Sequence, residues 1–126
     1  MGEAAVDPIV LDAGALIAVE RGDRAVIALC AESAFVVVPA GVIGQVWRDG
    51  ARQVRVGRLV NATGTVIEHL DLAVAKSAGA LCGRAGTSDV IDATVVLGAR
   101  AHRARVVTSD RADIARLDPA VRVIDC

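Results

Sequence analysis

Five short runs rich in valine and isoleucine constrain this 126-residue chain more than any other feature: "PIVLD" (8–12), "FVVVP" (35–39), "TVIEHL" (65–70), "ARVVTS" (104–109) and "VRVID" (121–125). Each is the length of a strand, and the apolar residues are nearly continuous rather than alternating, the pattern of strands covered on both faces. Between the runs lie segments with helical spacing, at 13–31, 40–60, 71–84, 89–103 and 110–117. The order reads βαβαβαβαβ. Such an alternation predicts an α/β chain with a parallel sheet, right-handed crossovers and helices on both faces.

The length suits one domain, 1–126, large enough to bury a core without disulfides. No linker, repeat or low-complexity tract interrupts it. Hydrophobic residues make up 54% of the chain, yet there is one Trp, one Phe and no Tyr, so the core must be built from Ala, Val, Leu and Ile. Cys30, Cys82 and Cys126 are odd in number and widely spaced, which argues against a disulfide framework or a zinc site and for reduced thiols in the cytoplasm. The opening "MGEAAVDP" lacks the basic flank and apolar run of an export signal, and no uncharged segment is long enough to span a membrane.

The acids are placed less uniformly. In "GTSDVIDATVVLGARA" (86–101), Asp89 and Asp92 open an otherwise apolar helix, three residues apart and on one face. An ionised carboxylate is costly to bury without a compensating partner. Asp12 ends the first strand and Asp110 follows the fourth. In an open parallel sheet the ligand site lies outside the carboxyl ends of the strands, so acids from three separate stretches are expected on one edge. Mutual repulsion would raise one of the pKa values unless a cation sits between them. With no His or Cys near them, these hard oxygen donors favour Mg²⁺ or Mn²⁺. Such an ion can lower the pKa of a bound water and neutralise a scissile phosphate, the chemistry of phosphodiester hydrolysis.

Taken together, "IVLDAGALIA", "VPAGVIGQVWRDGAR", "SDVIDATVVLGARA" and "RVVTSDRADI" resemble the PIN-domain proteins, most of all the VapC-type toxin ribonucleases of toxin–antitoxin pairs. The resemblance covers essentially the whole chain. It implies a three-layer α/β/α fold with a five-stranded parallel sheet. It also implies a Mg²⁺- or Mn²⁺-dependent endoribonuclease acting on structured RNA such as tRNA, inhibited by a cognate antitoxin protein and assembled as a homodimer. By motif, the family's first, third and fourth acids fall on Asp12, Asp89 and Asp110, and Thr108 matches a hydroxyl residue that helps order the site. The second acid, normally a Glu early in the third helix, falls on Gln45. A neutral amide offers a carbonyl oxygen but no charge; Asp92 would restore the missing negative charge, giving Asp12, Asp89, Asp92 and Asp110 as the metal set.

Further residues stand beside these. Asp113 could lie in an outer shell or on a solvated surface. Ser88 and Ser109 are expected to cap the helices that begin at Asp89 and Asp110. Arg48, Arg52, Arg55 and Arg58 are spaced to line one face of a helix or helix pair, either solvated or facing RNA phosphates. The apolar surplus of 13–31 is core, or a groove for an antitoxin helix or dimer contact. Thirteen of the fourteen basic residues are Arg, but the formal net charge is −1, so a nucleic-acid partner would need local patches. Two other readings compete with the nuclease. A phosphoryl-receiver domain shares the topology and an acidic pocket but carries a strand-end lysine, which this chain lacks; the remaining reading is a catalytically weak PIN fold that binds RNA or antitoxin.

Overall fold

Aliphatic residues fill the middle of the sheet. The computed structural model describes residues 7–126, so the residues 1–6 that open the segment read as lacking an export signal lie outside it. In chain order the elements are β1 (Ile9–Leu11), α1 (Ala13–Glu20), α2 (Arg24–Glu32), β2 (Val36–Pro39), α3 (Ala40–Val46), α4 (Val54–Val60), β3 (Thr65–Glu68), α5 (Leu72–Ala85), α6 (Val90–His102), β4 (Arg105–Thr108), α7 (Arg111–Leu117) and β5 (Val123–Asp125). All neighbouring strands pair in parallel, in the order β3-β2-β1-β4-β5. The expected α/β class and five-stranded parallel sheet are therefore what the chain forms.

Burial follows position in the sheet. β1 and β2 are buried along their whole length, whereas the edge strands β3 and β5 are only partly covered and leave Val66 exposed. Ile9, Leu11, Val37, Val38, Val106 and Val107 are all inaccessible to solvent. Withdrawing each such side chain from water contributes about 1.5–3 kcal/mol. Helix α6 lies across the sheet, close enough that a side chain on Gly98 would meet Val10 and Val37.

Two expected helices are each broken in two. The segment 13–31 turns at Gly22, whose φ of +78° suits glycine, and Asp23 restarts the chain by accepting from the backbone N–H groups of Ala25 and Val26. The segment 40–60 stops at Trp47 and resumes at Val54, the intervening turn being held by the Gln53 side chain, which accepts from the N–H groups of Arg48 and Asp49. Arg48 and Arg52 thus belong to that turn. They do not continue the face of α4 that carries Arg55 and Arg58, and helical spacing misled because it ran across the break. Ser88 and Ser109 are not the caps either: Asp89 and Asp110 themselves accept from the N–H groups of Asp92 and Asp113. No helix among the described residues is long and apolar enough to cross a membrane.

Candidate metal centre

The order β3-β2-β1-β4-β5 makes β1 and β4 neighbours, and chain connections leave them toward opposite sides of the sheet. The crevice outside their carboxyl ends is where such sheets bind ligands. Asp12 stands at the end of β1 and is only 7% exposed. One of its oxygens accepts from the Ala15 N–H at 2.9 Å, capping α1, and the other accepts the Thr108 hydroxyl. Fully buried, Thr108 ends β4, and its hydroxyl oxygen in turn accepts the Asp110 N–H at 2.9 Å. One hydroxyl therefore ties the acid after β1 to the acid after β4.

Close approach of the two turns depends on Gly14. A Cβ there would stand 2.0 Å from Ser109 Oγ and 2.8 Å from Ser109 Cβ. From the other side, α6 brings Asp89 as its N-cap and Asp92 in its first turn. Asp92 is half-buried, while Asp89, Asp110 and Asp113 are exposed at the mouth.

Asp12, Asp92 and Asp113 each feel the charge of neighbouring acids. Burial is the main force raising Asp12, and Asp110 adds repulsion. Burial likewise dominates at Asp92, with repulsion from Asp89, Asp113 and Asp12 helping to push it up to about 7. Asp113 is raised chiefly through its hydrogen bond with Asp110, with further repulsion from Asp110 and Asp89. Among the described residues no Arg, Lys or His forms an ion pair with any of the five.

Among the described residues no group of three or more His, Cys, Asp or Glu side chains is arranged to hold a metal ion. Asp12 is the buried acid of the group and Asp92 the half-buried one.

Gln45 is exposed on the last turn of α3 and makes no side-chain hydrogen bond. Gly41, one turn earlier on the same face, packs against Ile91 in the first turn of α6. Gln45 shares that face of α3 but forms no hydrogen bond with the acids among the described residues. Asp113 is part of the electrostatic cluster. Cys126 lies beside Thr108, its backbone N–H donating to the Thr108 carbonyl at 2.9 Å, and nothing in its local sequence marks it.

Arg48, Arg52, Arg55 and Arg58 are all exposed. Arg52 pairs with Asp49, and Arg55 donates to the Glu20 carbonyl. Ile17 and Ile27 are 40% and 39% exposed, so part of the apolar surplus of 13–31 does lie outside the core.

Comparison with family models and with curated proteins gives no match. Solved structures do share the fold. VapC20 of Mycobacterium tuberculosis, a toxin that cleaves the sarcin–ricin loop, aligns with a TM-score of 0.63 and 18% identity over 80% of this chain and 87% of its own. A chain of VapBC2 from Rickettsia felis, solved with a DNA fragment from its promoter, gives 0.68 and 13% over 94% and 98%. FitAcB from Neisseria gonorrhoeae gives 0.60 and 17% over 92% and 96%. The fold expected from the PIN-domain resemblance is the fold these structures share with this chain.

Proposed function

We propose that this chain is an endoribonuclease of the VapC type that hydrolyses RNA phosphodiester bonds with the help of Mg²⁺ or Mn²⁺. One observation supports the reading: Asp12 after β1, Asp92 on α6 and Asp113 on α7 are each raised in pKa partly by repulsion from neighbouring acids, and among the described residues none of them is in an ion pair. Asp12 and Asp92 would hold the ion, with Asp89 and Asp110 at the mouth. The bound ion would supply Lewis acidity, lowering the pKa of a water and offsetting phosphate charge.

The chain's own residues prepare that site. Thr108 fixes the rotamer of Asp12 by donating to it, and the cap on Ala15 fixes the other oxygen. Gln45 offers a neutral carbonyl at the approach from α3. The exposed arginines Arg48, Arg52, Arg55 and Arg58 would offset repulsion between RNA phosphates and the acids. We infer further that the chain works as the toxin of a pair, with an antitoxin that uses exposed Ile17 and Ile27, and as a homodimer; tRNA is among the structured RNAs to be tried. The neutral side chain at Gln45 favours a second reading, a weak enzyme that binds RNA or antitoxin without cutting.

RNA cleavage in Mg²⁺ and in Mn²⁺ tests both. Cutting by the wild type that is lost in Asp12→Ala supports the nuclease. An inert wild type made active by Gln45→Glu supports the binding module, and inactivity of both proteins on all RNAs overturns the enzyme.

A further inference from the structure

A cavity of about 230 Å³ opens beside α6 on the β2–β3 side of the sheet. Its lining includes Pro39 and Gly41 after β2, Glu68 and His69 at the end of β3, Val74 on α5 and Leu97 on α6. Among the described residues that line it, Glu68 is the only carboxylate, there is no Lys or Arg, and the walls are otherwise mostly aliphatic. A concave, mainly apolar pocket with a few polar groups, here Glu68 and His69, has the make-up of an organic-ligand site.

Glu68 is held in place. One carboxylate oxygen contacts His102 Nε2, and that imidazole is itself braced edge-to-face on Phe35, with ring centroids 5.6 Å apart and planes at 79°. An ionised carboxylate only accepts, and its two oxygens offer about four lone-pair sites. His102 takes one, and no other hydrogen bond among the described residues uses the rest.

Gly41 in the cavity's lining packs on Ile91, the neighbour of Asp92 in the first turn of α6.

We propose that this cavity receives an unpaired guanine base, recognised at its Watson–Crick edge by Glu68; the inference rests on the nuclease reading for its biological use but not for its chemistry. Guanine presents two adjacent donors, N1–H and the exocyclic amino group, which match the two oxygens of a carboxylate. Adenine and cytosine set a single amino group beside a ring acceptor, and uracil sets N3–H between two carbonyls, all of which oppose a carboxylate. In an apolar pocket those unmatched groups lose their water without replacement. Reading splayed-out bases at their edges is a general mode of single-stranded RNA recognition.

The test is titration of the whole protein with guanosine, adenosine, uridine and benzamidine, followed by backbone amide NMR. Guanosine should shift the amides of Ala73, Ser77 and Leu97, and Glu68→Gln should weaken it by about tenfold or more, the loss of a charged hydrogen bond. His102→Gln keeps the carboxylate but releases its brace, and should weaken guanosine less than Glu68→Gln does. Adenosine binding as tightly as guanosine, benzamidine binding more tightly than either, or no nucleoside binding overturns the proposal. So does concentration-dependent burial of the same amides without nucleoside, which would show a second copy covering the cavity. Nucleosides contain no phosphodiester, so RNA cleavage measured separately distinguishes failure of this pocket from failure of the nuclease reading.

Discussion

The Thr108 hydroxyl donates to one oxygen of Asp12 and accepts the backbone N–H of Asp110, joining two strand ends that are ninety-six residues apart in the sequence. Both side chains are buried, so the contact cannot be replaced by water. Thr108→Val keeps the shape and removes the donor. It should cost about 1–3 kcal/mol of stability, the penalty for leaving a buried acceptor unpaired, and should lower RNA cleavage because Asp12 loses its fixed rotamer. Thr108→Ser should recover most of both. Urea denaturation alongside a cleavage assay checks this; a fully active Thr108→Val would show that the hydroxyl does not order the site.

Asp92 should make the metal-free protein less stable as pH rises. Its carboxyl, pushed up to about 7 mainly by burial and then by Asp89, binds its proton more tightly folded than unfolded, where the ordinary value is 3.8. The favourable contribution is complete below the unfolded value and is lost as pH climbs toward 7. Asp92→Asn mimics the protonated form at every pH. In a chelator, its melting temperature should match the wild type near pH 3.5 and exceed it by about 5 °C at pH 8. Equal melting curves at pH 8 would mean that Asp92 is not strained.

Divalent cations should reverse that strain. Mg²⁺ binding to the folded form alone raises stability by about 2.7 kcal/mol at a hundred times its Kd. Thermal denaturation of the wild type should therefore shift upward with Mg²⁺, and the shift should vanish in Asp12→Asn. An unchanged transition in both would remove the ion from this crevice.

How much of this was legible differs between levels. The strands could be read because β1, β2 and β4 are buried in the sheet and each needs an unbroken apolar run. Four acids could be placed on one edge because Asp12, Asp89, Asp92 and Asp110 each adjoin the end of a strand or start of a helix. The break at Gly22 was not legible, since helical spacing continues on both sides of it and only Asp23 reveals the restart, whereas the break at 47–53 carried a signal in Gly50, a residue suited to turns, which falls inside it. The roles of Asp89 and Asp110 as caps were hidden by the serines beside them, which offer the same chemistry one residue early. Glu68 and His102 meet only because β3 and the end of α6 are packed together, a juxtaposition that no local pattern records.

Gly14 sets the distance between the two acid-bearing turns. Any Cβ at this position would stand 2.0 Å from Ser109 Oγ, 2.8 Å from Ser109 Cβ and 3.3 Å from the Ser109 backbone nitrogen. The first two contacts are side chain and the third is backbone, so the clash is largely removable from the other partner. Gly14→Ala alone should destabilise the protein by about 1–3 kcal/mol through overpacking and should weaken Mg²⁺-dependent stabilisation by driving the β4–α7 turn, with Asp110, away from Asp12. Adding Ser109→Gly removes both side-chain contacts and should restore most of the stability and the Mg²⁺ response. If Gly14→Ala is destabilising and the double variant recovers nothing, the close approach of these turns is not what Gly14 provides, and its role lies in the backbone of α1 itself.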